Sequence, residues 1–518
     1  MKKISAAALG LALLAPLAPG ATAHADTDPA IVVTSKGAVR GTVGPKVRSF
    51  QGIPYATAER FAVPRPVPAW SGVRDAVEPG KVCAQPAGLP IGRPSTDEDC
   101  LNVNVTTPAG RRGDGTRGRL PVIVWIHGGS MMFGMGDLYG ADRLAAGGAV
   151  VVSLNYRLGV TSFLTHPSLP ESGSLALDDQ RAALRWVREN IGAFGGDPRN
   201  VTIMGESGGG FGVCGHLASP TSAGLFDKAI VQSAPCATPG NASRTRAAAL
   251  ADSETVIEDL LAECGHGDVA RCLREAPIDR LLELYGTERE PRPVSGTRDL
   301  PLPVDEAFRK GRFNRVPVLV GVNHDEENGM ILGQELVTGK PMADEKYEPT
   351  IRATYPSRAD AVLRRYPLGD SAGRSLARVK TDATWSVPTL DTARALSRRT
   401  SVRMYEFAER DTPWFAGMAE PSFPAAAQHM SELAYLFDLP LFTDLTPEQA
   451  ALGDRMIGAW TRFAATGDPN GGGEARWPRL RDDRGRAGLH VQSLTSGEWK
   501  RADFVKDHEY RFWSRGER

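Results

Sequence analysis

Beyond its N-terminus this 518-residue chain has no apolar run long enough to cross a bilayer, so stable membrane insertion is not expected. It also lacks net charge. Lysine and arginine together number 61, as do aspartate and glutamate, which leaves no strong field to gather nucleic acid or an anionic surface. A neutral or weakly charged small molecule is therefore the expected partner. Internal repeats are absent, which excludes an array of stacked units. No group of cysteines and histidines has the spacing of a zinc site, and neither a metal nor an organic cofactor is expected.

What is present begins with an export signal. Lys2 and Lys3 precede an apolar stretch over 4–17 and the small-residue cleavage site Ala23-His24-Ala25. Residues 1–25 are thus expected to be removed and the mature chain, 26–518, to be secreted. Pro16, Pro19 and Gly20 interrupt the apolar stretch well short of the ~20 residues of an anchor helix. In an oxidising compartment the six cysteines have a use as disulfides. Six thiols permit fifteen pairings. Proximity favours Cys83 with Cys100 and Cys264 with Cys272, leaving Cys214 and Cys236 as a third bridge or two buried thiols.

With 41% hydrophobic residues the chain has material for a large interior. Residues 31–55 are strand-like and punctuated by glycines, as in an antiparallel meander, whereas the proline-rich stretch 64–94 is expected to be irregular. From residue 120 onward short, wholly apolar runs recur at 122–126, 150–154, 201–204, 229–231 and 316–322, each suited to a buried strand. Helical patterns lie between them, the clearest over 178–194, where Ala182, Leu184, Trp186, Val187, Ile191 and Phe194 recur near helical spacing. This alternation predicts an α/β fold with a central, mainly parallel, twisted sheet covered by helices on both faces. Residues 243–285 read as helical and are expected to pack beside the sheet as an insertion.

The most informative segment runs from the apolar residues 201–204 into Gly205-Glu206-Ser207-Gly208-Gly209 and then a helix-compatible stretch. Glycine-x-serine-x-glycine is common by chance among 56 glycines, but a strand before it and a helix after it give it a mechanical reason. A serine held at a sharp strand-to-helix turn is lifted off the sheet, and the helix N-terminus favours negative charge developing there. Ser207 is the expected nucleophile. Upstream, Trp125-Ile126-His127-Gly128-Gly129-Ser130 ends another apolar strand, and backbone amides in such a loop can converge on a tetrahedral oxyanion. Gly129, Ser130 and Gly208 are the expected donors, and His127 is read as structural. Met131, Met132 and Phe133 follow, as an acyl-side lining or as core.

On a fold of this kind the acid and then the histidine follow the serine along the chain, on loops after strands. The run 316–322 leads into Asn323-His324-Asp325-Glu326-Glu327, where periodicity does not choose among three adjacent acids. Of the downstream histidines, His490 and His508 stand in charged surroundings where solvation is the default. His429 adjoins the largely apolar 433–442 and suits a general base.

With these residues in view, the chain resembles the type-B carboxylesterase and cholinesterase family over nearly its whole mature length. Matching stretches are Phe50-Gln51-Gly52-Ile53-Pro54-Tyr55-Ala56, Glu98-Asp99-Cys100-Leu101-Asn102-Val103-Asn104, Asn155-Tyr156-Arg157, Phe194-Gly195-Gly196-Asp197-Pro198, the serine motif, and Phe463-Ala464-Ala465-Thr466-Gly467-Asp468-Pro469-Asn470. The resemblance implies an α/β-hydrolase fold and a secreted serine hydrolase acting on small-molecule carboxylic esters. It assigns the triad to Ser207, Glu326 and His429, and supports the bridges Cys83 to Cys100 and Cys264 to Cys272. Two positions depart from the family pattern: Ser130 stands where a third glycine is usual, and Gly208 where alanine is usual. A positive φ at Ser130 would strain it. The choline-binding branch resembles the chain less, because 84–99 holds no aromatic residue to face a quaternary ammonium. Retention of all three triad positions argues against an adhesion protein on the same fold, while an amide or carbamate hydrolase stays open, as does the oligomeric state.

Overall fold

The computed structural model describes residues 28–88, 91–110, 118–264, 267–481 and 489–514. The expected signal, 1–25, lies outside them. Eleven strands form the main sheet: β1 (Thr42–Val43), β2 (Val47–Pro54), β3 (Asn102–Pro108), β4 (Leu120–Ile126), β5 (Val150–Leu154), β6 (Gly196–Glu206), β7 (Lys228–Gln232), β8 (Val318–Asn323), β9 (Val402–Phe407), β10 (Val491–Leu494) and β11 (Lys500–Arg501). Their spatial order is β11-β10-β9-β8-β7-β6-β4-β5-β3-β2-β1. The strands from β10 through β5 in that order pair in parallel, and antiparallel strands close both edges.

The apolar runs are strands because both of their faces are covered. On β4, Val122, Val124 and Ile126 enter one core and Ile123 and Trp125 the other, all without solvent exposure. One core is roofed by α1 (Leu175–Asn190) through Ala183, Leu184, Trp186 and Val187. The opposite core takes the C-terminal helix Pro447–Thr466 through Leu452, Met456, Trp460 and Phe463. That helix starts on a capping box, in which Thr446 accepts from the Gln449 amide and Gln449 reaches back to the Thr446 N–H. The fold is the predicted α/β sheet with helices on both faces. The Cys264–Cys272 disulfide joins helix Arg246–Cys264 to helix Val269–Glu275, and helix Ile278–Tyr285 follows. Cys83 is bonded to Cys100, and Cys214 to Cys236, which resolves the third pair. Among the described residues no helix is long and apolar enough to cross a membrane.

Candidate active site

Every element of the site sits at the C-terminal edge of the parallel strands, where loops leave the sheet. Strand β6 is buried from Val201 to Glu206 and stops at Ser207, after which α2 (Gly208–Ala218) begins. Ser207 turns the chain with φ 51° and ψ −120°, a conformation that costs a non-glycine residue about 1–3 kcal/mol. The turn is held on both sides. Ser207 N–H donates to Gln232 O at 3.0 Å, and Phe211 N–H to Ser207 O at 2.9 Å. Helix α2 also lies hard against the end of β4, since a Cβ on Gly209 would stand 2.0 Å from Ile126 O.

The loop after β4 folds back over this elbow. A Cβ on Gly208 would lie 2.9 Å from Ser130 N and 2.8 Å from Met131 N, so the loop backbone and the first residue of α2 are in direct contact. The amides of Gly129, Ser130 and Gly208 donate to no acceptor among the described residues. Three free N–H groups beside one serine can receive an oxyanion. Ser130 has φ 57° and Met131 φ 60°, so the residue in place of the usual glycine does adopt the left-handed region. Gly129 O accepts from Met132 and Phe133, and Met131 O accepts from Gly159, which hold the loop there. His127 Nδ1 lies 2.9 Å from Gly128 O and its ring stacks on Tyr156 at 4.4 Å. Burial lowers its pKa to about 4, so it stays neutral and braces the loop. Met131, Met132 and Phe133 are buried and belong to the two cores.

The three adjacent acids take three different partners. Glu326, fully buried, places Oε2 2.6 Å from His429 Nδ1, while its Oε1 accepts from Ser233 Oγ at 2.6 Å and from Asn323 N–H at 2.9 Å. Glu327 instead accepts from Trp385 Nε1 at 2.8 Å and pairs with Lys380. Asp325 pairs with Arg410 at 2.6 Å. Glu326 is therefore the one that fixes the His429 ring, leaving Nε2 to face the elbow. There Nε2 lies 3.1 Å from Glu206 Oε1, a charge contact outside hydrogen-bond geometry. Glu206 immediately precedes Ser207.

Sequence reasoning missed the carboxyl groups that surround the imidazole. Burial pushes Glu206 up to about 8, and it pushes Glu432 up to about 7 although Asn323 and Gln232 donate to that carboxylate. Burial opposes charge on His429, but Glu206 and Glu326 outweigh it and hold its pKa well above the usual histidine range. Trp385 packs its ring 4.6 Å from that of His429. The only available signal was position: Glu206 lies inside the serine motif, and Glu432 three residues beyond His429.

One expectation needs correction. His508 is not solvated; it is buried between Asp382 and Glu406, which come from distant segments and supply the charge that makes burial tolerable. His490 is half-buried against Gln492. His216, near the C-terminal end of α2, bonds Ser222 and Gln180.

Comparison with known proteins gives a consistent picture. A sequence model of the carboxylesterase family matches residues 28–513. The chain is 31% identical to cocaine esterase of Homo sapiens over 557 aligned positions, covering 99% of this chain and 95% of that protein. It is 33% identical to para-nitrobenzyl esterase of Bacillus subtilis (strain 168) over 498, covering 88% and 93%. Among solved structures, a thermophilic PNB esterase superposes with a TM-score of 0.75 at 31% identity, covering 93% of this chain and 99% of that one.

Proposed function

This chain belongs to the carboxylesterase family and is a carboxylic ester hydrolase, and we propose that it works through a Ser207–Glu326–His429 triad in an exported, disulfide-bonded enzyme. This reading is supported by the 2.6 Å Glu326–His429 contact, with the opposite nitrogen, Nε2, 3.1 Å from Glu206, the residue before Ser207. In the first half-reaction His429 Nε2 takes the Ser207 proton as Oγ attacks the ester carbonyl, and the resulting oxyanion accepts from Gly129, Ser130 and Gly208. The imidazolium then gives its proton to the departing alcohol. Water, deprotonated by the same nitrogen, attacks the acyl-enzyme, and Ser207 regains the proton as the acid leaves.

Glu326 stabilises the imidazolium and fixes its tautomer without taking the proton, since the two donors on its Oε1, Ser233 Oγ and Asn323 N–H, favour the charged carboxylate. Glu206 adds negative charge beside Nε2 whenever it is ionised. The three disulfides accord with export through the expected signal at 1–25, and 26–518 forms the catalytic unit.

A chromogenic para-nitrophenyl ester, assayed with the wild-type protein and Ser207→Ala, tests the assignment. Turnover is expected to vanish in the variant while the circular dichroism spectrum is kept; retained turnover would remove the nucleophile. A matched amide in the same assay separates an ester hydrolase from an amide hydrolase sharing the triad.

A further inference from the structure

A second histidine with two carboxylate partners lies buried near the triad, at the same edge of the sheet. His508 places Nδ1 2.6 Å from Asp382 Oδ1 and Nε2 2.5 Å from Glu406 Oε1. Glu406 belongs to β9. His324 directly follows β8, whose last residue Asn323 pairs with Phe407 of β9, and its ring lies 5.0 Å from that of His508. One donor atom each from His324, Glu406 and His508 fall within 4.8 Å of one another. His324 Nε2 accepts from Arg410 Nη2 at 3.3 Å, while its Nδ1 is buried without a hydrogen-bond partner, Asp325 Oδ1 lying 3.2 Å away outside hydrogen-bond geometry. A cavity of about 400 Å³, lined in part by His324, Asp325, Asp382, Arg410 and His508, leads to the cluster.

Two imidazoles and a carboxylate are a donor set suited to zinc and its neighbours. Asp382 stands where an outer carboxylate stands in such centres, holding the far nitrogen of a ligand histidine and so fixing its ring. Charge points the same way. Asp325, Asp382 and Glu406 bring three carboxylates together, and Arg410, 2.6 Å from Asp325, neutralises one. Asp382 and Glu406 share the one His508 ring, and with that ring neutral a divalent ion would balance both.

We propose that His324, Glu406 and His508 bind one divalent transition-metal ion, with Asp382 as the positioning carboxylate behind His508. The ion replaces the proton between His508 Nε2 and Glu406 Oε1, and that proton leaves through the cavity. Ligand atoms around a tetrahedral zinc are about 3.3 Å apart, so this pair must open from 2.5 Å by less than ~1 Å. Such an ion would tie β8, β9 and the C-terminal segment to the π turn Thr381–Ser386, whose Trp385 packs on His429. No sequence spacing announces the site, because its ligands are scattered over 324, 406 and 508.

The test is zinc titration of the chelator-treated mature protein by calorimetry, with cobalt(II) substitution read in the visible spectrum. One ion per chain is expected, with a rise in Tm and histidine-type cobalt bands. His324→Ala should weaken binding at least tenfold, and Asp382→Asn by about 10- to 100-fold. Ser207→Ala should bind as the wild type does. Absence of saturable uptake, or one-to-one uptake that His324→Ala leaves unchanged, would overturn the proposal. His324 is part-exposed, so its variant keeps the test decisive if Asp382→Asn does not fold.

Discussion

Adding a single methyl group at position 208 should injure catalysis far more than it injures the fold. In Gly208→Ala the new Cβ would stand 2.8 Å from Met131 N and 2.9 Å from Ser130 N, both backbone atoms that no rotamer change can move aside. Ordinary contact requires a retreat of about 0.5 Å, which takes a well-placed donor to the limit of hydrogen-bond range. Complete loss of one oxyanion donor costs about 10²- to 10³-fold in kcat. Partial loss at Ser130 should therefore lower kcat by roughly 10- to 100-fold, with KM little changed because the oxyanion exists only in the transition state. Stability should fall modestly, because forcing the loop backbone aside costs about 1–3 kcal/mol, partly offset by the up to ~1 kcal/mol by which alanine is favoured over glycine in a helix. Steady-state kinetics on a para-nitrophenyl ester, beside a thermal melt, gives both readings. Ser130→Gly should relieve φ 57° and let the loop yield, so the double variant should recover part of the loss, a coupling that a double-mutant cycle measures. Unchanged kcat in Gly208→Ala would refute the close packing of loop and elbow as the basis of the oxyanion site.

Glu326→Gln should lower kcat/KM by about 10³- to 10⁴-fold, as expected when a triad histidine loses its orienting carboxylate, whereas Glu327→Gln should cost under about tenfold. The reverse ranking, in the same ester assay, would move the acid by one residue. Glu206→Gln should shift the acid limb of the kcat/KM profile to lower pH: His429 works as a base only when neutral, and Glu206 raises its pKa. A limb that stays or moves upward contradicts that electrostatic role. Replacing Cys214 and Cys236 together by alanine should cost about 3 kcal/mol in the chain-entropy account of a bridge with a sequence separation of 22. Denaturant melts that coincide with the wild type would show that this crosslink adds nothing.

Much of the fold was legible because parallel strands covered on both faces read as short apolar runs, and β5 has the bounds its sequence suggests. Strand β9 was illegible for the opposite reason. It carries Arg403 and Glu406, both buried, and their partners Asp468 and His508 lie far along the chain, so no local pattern reveals that the charges are compensated. The helical stretch from 327 to 397 went unread as well. The site divides similarly. Backbone geometry marks Ser207 and Gly129 in sequence, since glycines announce tight turns, and His429 is betrayed by the apolar run beside it. Which of Asp325, Glu326 and Glu327 meets the histidine depends on Ser233, Arg410 and Trp385, which arrive from three other segments. The two buried glutamates around the imidazole depend on depth, which motif spacing does not encode.

Ser207, where β6 ends, is the proposed nucleophile. The most direct test of that role is to treat the protein with a serine-phosphorylating organophosphate and map the adduct by intact-mass and peptide mass spectrometry. A single adduct per chain is expected on the peptide holding Ser207, in step with loss of esterase activity, and none on Ser207→Ala. An adduct on any other residue that tracks the loss of activity would contradict that role.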